Sequence, residues 1–399
     1  MSTFLELLLD HTKSYESPTM FWKWSGYASI AAVLRDNVWK NFGDKRLYPN
    51  IYVLFLAESG SRKGPPVDLS EQMLKEIGNT KCISGRSSIQ GIVDELAHTE
   101  TNSKTGQMLK GGSAIWYASE LAAGIVHDDA AIAILTDIYE GKTDFKNILR
   151  HSPRFKVDRI VFNALLASNA AMLKNFYNST ATHGGLLART FLITPSGEFR
   201  KSNSLLKHID RSTSYKKCVD ALKQLTQLGG EITFDETAQT EYDPWYEKFR
   251  MSYRNSDKGG IAGRLHTGVL KVAMILAANE ESLIVRQRHI EEAISECIQL
   301  LPNYNEFIMA SGKSTVSEAG AILLTDLQNA EGYMLDRRIV LRNHWQDIDS
   351  EILDKLTQTL ESAGMIQTIM NPPTIYYRLT TKALEILGKG KKVTTNDEG

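Results

Sequence analysis

The apolar pattern changes period several times along the chain, and each change marks an element. Residues 1–48 read as helices. Within them "PTMFWKWSGYASIAAVLRDNVWKNF" begins at Pro18 and keeps apolar residues at helical spacing through Trp22, Ala28, Ile30 and Val33. "PNIYVLFLA" (49–57) is a continuous run rich in β-branched and aromatic residues, the pattern of a buried strand. After a polar turn, "PPVDLSEQMLKEIGN" reads as a helix with proline in its first turn and Gly78-Asn79 at its end. "CISG" (82–85), "GSAIWYASE" (112–120), "RIVFNALLASN" (159–169) and "ARTFLIT" (188–194) read as further strands, with the helix "SSIQGIVDELAHT" after the first. Strands alternating with helices predict an α/β fold with a parallel sheet covered on both faces.

From about 205 to 310 the pattern is helical. "GGIAGRLHTGVLKVAMILAANE" and "RQRHIEEAISECIQLLPNYNEFI" flank a short strand-like "SLIV". "SGKSTVSEAG" (311–320) reads as a linker. Residues 320–388 read as three helices and a hairpin. The last helix ends at Gly364, and Asn371-Pro372-Pro373 turns between two strands, which together predict a winged helix-turn-helix. The expected domains are a helical region (1–48), a core (49–204), a helical lid-like region (205–310), a winged helix (320–388) and a disordered tail (389–399).

Composition narrows the picture only slightly. The chain has 399 residues, 42% of them hydrophobic and 23% charged, which are globular values. A formal net charge of −1 excludes a polycation that coats nucleic acid. Cys82, Cys218 and Cys297 are far apart and fit neither a zinc pattern nor a disulfide framework, so a reducing, cytoplasmic compartment is expected. The N-terminal stretch has the features of no signal peptide, and no run of about 18 apolar residues predicts a membrane span.

The chemistry concentrates after the first strand, in "AESGSRKGPP" (57–66). Strand, small polar turn and lysine is the order of a phosphate-binding loop. Gly60 permits the tight turn. Consecutive amides at Ser61, Arg62, Lys63 and Gly64, with Ser59 before them, can form an anion nest at a helix start, and Lys63 supplies the charge. Gly64 stands where such loops carry the Ser or Thr that holds Mg²⁺, and Pro65 and Pro66 offer no N–H. The alternative is a basic turn.

Four further residues fall in the order of one ATPase core. Glu120 ends the run "SAIWYASE", where P-loop ATPases place the acid that polarises water and helps hold metal; Ser119 replaces the acid before it and also suits a helix N-cap. Asn169 ends the next strand, where a polar residue orients water against the γ-phosphate or caps the following helix. Arg189, after Gly184-Gly185, suits an arginine that reaches a neighbour's site, or a structural ion pair. Arg264, at a helix start in the helical region, suits a second sensor.

Taken with "LTDIYEGKTDFKN", "GGLLARTFLIT" and "GRLHTGVLKVAMILAANE", these motifs resemble a phage, plasmid and prokaryotic family of helicase-like P-loop ATPases, often attached to primase domains. The resemblance covers about residues 1–310. It implies an AAA+/RecA-like core that uses ATP and Mg²⁺ and forms a homo-oligomeric ring such as a hexamer. It further implies action on single-stranded DNA beside primase or other replication proteins. On it, Lys63 is the nucleotide-binding lysine, Glu120 the catalytic acid and metal ligand, Asn169 the sensor and Arg189 the trans-acting arginine.

Residues 140–220 contain 14 Lys and Arg against 6 Asp and Glu. Lys142, Lys146, Arg150, Arg154 and Lys156 lie in one stretch with Phe145 and Phe155 between them, a pattern for a phosphate backbone with stacking bases or for a solvated basic face. The winged helix is not basic, with 10 Lys and Arg against 12 Asp and Glu over 311–399. Two alternatives stand beside a motor: a hydrolysis-poor helicase loader or scaffold, and a winged-helix replication initiator.

Overall fold

The computed structural model describes residues 2–84, 88–98, 100–101, 108–109, 112–119, 129–141, 143–147, 155–169, 185–195, 210–253, 260–304, 315–345 and 348–386. The chain forms two compact units, 1–308 and 309–399.

Five parallel strands make the centre of the first unit: β1 (Tyr52–Leu56), β2 (Lys81–Ser84), β3 (Ser113–Ala118), β4 (Val161–Ser168) and β5 (Thr190–Ile193). Their order across the sheet is β5-β1-β4-β3-β2. All five residues of β1 and all eight of β4 are buried, as strands covered on both faces require. In register, Ser168 stands beside Leu56, and Leu166 stands beside both Leu54 and Ala118. The three strands therefore end nearly level at one edge.

Helix α1 (Phe4–His11) and helix α2 (Thr19–Leu34) are part of this unit's core. Helix α2 is buried on nearly every face, which explains why it is apolar all round. Its Phe21 stacks on Phe55 of β1 with ring centroids 4.5 Å apart. A buried chain of hydroxyls then fixes the layers: Ser29 Oγ meets Ser70 Oγ at 2.6 Å, and Ser70 Oγ meets the Tyr117 hydroxyl at 2.9 Å. Ser70 lies on α3 (Gly64–Ile77), so α2, α3 and β3 are held in one register.

Further helices are α4 (Ile89–Ala97), α5 (Asp129–Tyr139), α6 (Ser212–Gln224), α7 (Glu236–Tyr253), α8 (Ile261–Asn279) and α9 (Gln287–Ile298). Their apolar faces join the same hydrophobic cluster as α1, α2 and the sheet. The boundaries expected at 48/49 and 204/205 therefore divide one core. Helix α8 is long and apolar enough to cross a membrane, but 78% of its apolar window is buried inside the protein.

Two sequence expectations fail locally. Residues 38–42 continue the helical spacing but form a strand, because α2 stops where Arg35 adopts φ +53°. That strand pairs antiparallel with 45–47 and in parallel with 230–231, a partner invisible to local pattern. The expected linker 311–320 already contains the start of helix α10 (Thr315–Asn329).

The second unit runs α10, strand β6 (Met334–Asp336), helix α11 (Arg337–Asn343), helix α12 (Ser350–Ser362), the hairpin β7 (Ile366–Asn371) and β8 (Thr374–Leu379), and a short helix, Thr381–Ile386. Its antiparallel sheet has the order β6-β8-β7. Leu323, Leu327, Val340, Leu353, Leu356 and Tyr377 fill its separate core.

Candidate functional site

The connection from β1 leads toward β2 at one edge of the sheet, while the connection from the adjacent β4 leads back past β1 to β5. Neighbouring strands whose connections run in opposite directions, each right-handed, send them over opposite faces. At the carboxyl ends of such strands open α/β sheets bind ligands in a crevice. Residues 57–64 and Asn169 follow these two strands, and Ser119 follows β3 next to them.

The loop begins where the Ala57 amide donates to the Ser168 carbonyl at 3.3 Å, and the Ser61 amide closes a turn on Glu58 O at 3.3 Å. Gly60 adopts φ +85° and Arg62 φ +58°. A left-handed arginine is strained, and such strain collects at ligand sites. Two bonds hold Arg62 there: Ser17 Oγ donates to its carbonyl at 2.7 Å, and its Nε donates to Glu16 Oε2 at 2.6 Å. The Arg62 Nε is thereby engaged by Glu16, while the side chain as a whole stays 52% exposed. Lys63 Nζ spans the carbonyls of Ala57 and Glu58, each at 3.1 Å, and so lies across the loop.

Helix α3 starts at Gly64, with Lys63 as its cap residue. The first-turn amides of a helix lack intrahelical acceptors. Pro65 and Pro66 have no N–H, so Lys63 and Gly64 supply the donors. Ser59 and Gly60 are exposed. Ser61 Oγ and Ser168 Oγ are buried beside the crevice strands and have no hydrogen-bond partner among the described residues. Asn169 is half-buried.

Magnesium needs few protein ligands, since it keeps several waters and takes phosphate oxygens. Among the described residues no three His, Cys, Asp or Glu side chains gather as a metal cluster. Asp68 fits the remaining need. Its Oδ2 lies 3.9 Å from where a Cβ at position 64 would stand, beside the place of the absent hydroxyl. Partial desolvation and the neighbouring Glu71 hold its carboxyl above the ordinary range. The sequence signal was its position one helical turn after Gly64. Glu120, the expected metal ligand and base, lies outside the described residues.

The two expected arginines meet elsewhere. Arg189 donates from Nε to Glu140 Oε1 at 2.8 Å and approaches the same oxygen with a second nitrogen at 2.7 Å; its third nitrogen donates to Gly185 O at 2.9 Å. Gly185 has φ +76°, and a Cβ there would sit 2.8 Å from that guanidinium, so both backbone and space call for glycine. Arg264 donates to Glu140 Oε1 at 2.9 Å. Below them the fully buried Lys271 donates to Asn50 O and Oδ1, each at 2.9 Å, and stands 3.7 Å from the Tyr139 ring centroid. Burial pushes its pKa down to about 7; Glu140 opposes that fall and Arg189 adds to it. Burial also opposes charge on Glu140, but Arg189, Arg264 and Lys271 outweigh it and hold the carboxyl below its ordinary range.

This cluster lies at the amino ends of the strands, since Thr190 is in register with Tyr52. The length of β1, about 13 Å at 3.3 Å per residue, separates it from the loop. The expectation that Arg264 joins Lys63 in one nucleotide site is thereby corrected: within one chain the two occupy opposite ends of the sheet. Sequence reasoning missed Glu140, Lys271 and Asn50. The available signal was Lys271, a lone cation in the apolar run "VLKVAMILAA".

Of the basic stretch, Lys142, Arg150 and Arg154 lie outside the described residues. Positions 143–147 and 155–159 form an antiparallel hairpin just before β4, with Lys146 in register with Lys156. In the second unit, Arg337 pairs with Asp354 and the Tyr377 hydroxyl, Arg338 with Asp336, and His344 with Asp326. Arg337, Arg338 and His344, ahead of α12, are therefore bound within their own unit. Comparison with protein-family models and with curated proteins finds no match for this chain.

Proposed function

We propose that the protein is an ATP-dependent, ring-forming, helicase-like motor that acts on single-stranded DNA. The observation that carries this reading is the strand order, with the loop of residues 57–64, Asn169 and Ser119 on three adjacent strand ends. The amides of Lys63 and Gly64 and the Lys63 ammonium take the phosphates. Asn169 orients the water that Glu120 activates. Asp68 and Glu120 would hold magnesium, which would supply positive charge against the phosphates.

Arg189 is too far from its own loop to serve it, so it acts on a triphosphate in a neighbouring subunit. The basic stretch, with Lys142, Lys146, Arg150, Arg154 and Lys156, follows the DNA backbone. The second unit, whose helix and hairpin order is that of a winged helix, contacts a replication protein. Its paired arginines and its exposed Trp345 (72% exposed) support that role over DNA reading.

Phosphate release from Mg-ATP, measured against protein concentration with and without single-stranded DNA, tests the reading. The specific activity is expected to rise with concentration and with DNA. Activity per subunit that is independent of concentration would remove the trans arginine, and absence of ATP binding would remove the motor. A second reading is favoured by Gly64, Pro65, Pro66 and Ser119: a loader or scaffold that binds ATP and turns it over very slowly. ATP binding and DNA-stimulated assembly without phosphate release would select it.

A further inference from the structure

The cluster at the amino ends of the strands holds more positive charge than it neutralises. Two guanidiniums converge on one carboxylate, and all three of their contacts fall on a single oxygen, Glu140 Oε1. Lys271 adds a cation below them. Buried or half-buried charges are ordinarily matched, and among the described residues Glu140 is the one anion in contact with this pair.

The geometry suits a different ligand better than a carboxylate. A guanidinium offers parallel donors that match two oxygens, and a phosphoryl group presents three. Arg189 is aimed by the Gly185 carbonyl, and its side chain is 8% exposed, so it is already ordered. Arg264 is 45% exposed and Glu140 44%, so that side of the pair opens to solvent. A cleft of about 50 Å³ lies against Glu140, Arg189, Thr190, Arg264 and Tyr304. At 10–15 Å³ per water that is room for a few waters, roughly one phosphoryl group.

We propose that the Arg189–Arg264 pair is a phosphoryl-binding site and that the Glu140 carboxylate is its internal occupant, displaced when a phosphoryl group arrives. The source of that group rests on the reading above: a triphosphate seated in the loop of a second copy of this chain. In the free subunit Glu140 occupies both arginines. On assembly the incoming phosphate takes both guanidiniums, and Glu140 swings toward solvent.

Inorganic pyrophosphate, titrated calorimetrically without magnesium, tests the site apart from the motor. Every protein in the series carries Lys63→Ala, which takes the loop out of the measurement. Adding Glu140→Gln is expected to tighten pyrophosphate binding by about tenfold or more, the scale of one charge-assisted hydrogen bond. Adding Arg264→Ala to that variant is expected to erase the gain. No gain, or a gain that survives Arg264→Ala, overturns the proposal. Should Glu140→Gln fail to fold by circular dichroism, Arg264→Ala alone decides, because its side chain is nearly half exposed. It must weaken the parent's residual pyrophosphate affinity, and unchanged affinity overturns the proposal. If the gain appears while unmodified protein takes up no ATP, the phosphoryl site stands and the motor reading falls.

Discussion

At the carboxyl end of β1 the chain leaves polar groups ready for a ligand, whereas at its amino end it binds polar groups to one another. Ser59 and Gly60 are exposed, and among the described residues Lys63 donates only to two carbonyls of its own loop. At the other end Lys271 is fully buried, and Asn50 supplies both of its acceptors. Both ends use a lysine against backbone carbonyls, but with opposite results. A half-buried lysine on a strained loop can trade its carbonyls for phosphates at little cost. A lysine sealed under an aromatic ring has no such exchange open to it, so its environment shifts its proton equilibrium instead.

The contrast can be broken first at the loop. Lys63→Ala is expected to weaken Mg-ATP binding by about a hundredfold, the upper range of a charged hydrogen bond, with the thermal midpoint unchanged; calorimetry and thermal unfolding read the two. A large stability loss would show that Lys63 is structural and that the two ends are alike.

Lys271 gives the next effect through pH. Its folded pKa near 7 lies below the ordinary lysine value of 10.5. Between those values the unfolded chain binds a proton that the folded chain lacks, so stability rises with pH. Below pH 7 both states are protonated, and the cost of the buried charge is present in full. The rise approaches about 1.4 kcal/mol per pH unit from pH 8 to 10. Urea unfolding across that range should show the slope in the parent and lose it in Lys271→Met. An equal slope in both would assign the titration to a group other than Lys271.

The smallest effects separate the two arginines. Arg189→Ala strands Glu140 and Gly185 O and is expected to cost about 1–2 kcal/mol, below the usual figure for a buried pair because Glu140 is 44% exposed. Arg264→Ala is expected to cost about 0–1 kcal/mol, as exposed pairs do. Equal losses in urea unfolding would mean that Arg264 is as structural as Arg189.

The elements that local pattern specifies were legible in the sequence. The five strands of the central sheet, the loop with Gly60 and Lys63, and the helix that ends at Gly78 all announce themselves within a dozen residues. What was illegible depends on distant partners. Val38–Phe42 continues an apolar spacing that suits a helix, and it is a strand because it pairs with residues 45–47 and with the distant residues 230–231. Arg189 and Arg264 were legible as chemically poised arginines, but Glu140 binds both from the end of another helix. No spacing in the chain relates the three. Asp68 was legible in principle, because Gly64 removes a hydroxyl and a carboxylate one turn later stands beside the gap.

The strand order also has a consequence for synthesis. Wholly apolar β1 is made early, but both of its neighbours, β4 and β5, are encoded more than a hundred residues later. At roughly 5–20 residues per second, the ribosome leaves Tyr52–Leu56 without a sheet partner for on the order of ten seconds. During that wait the nascent segment depends on α2, already made, and on chaperones to keep it from pairing with another chain.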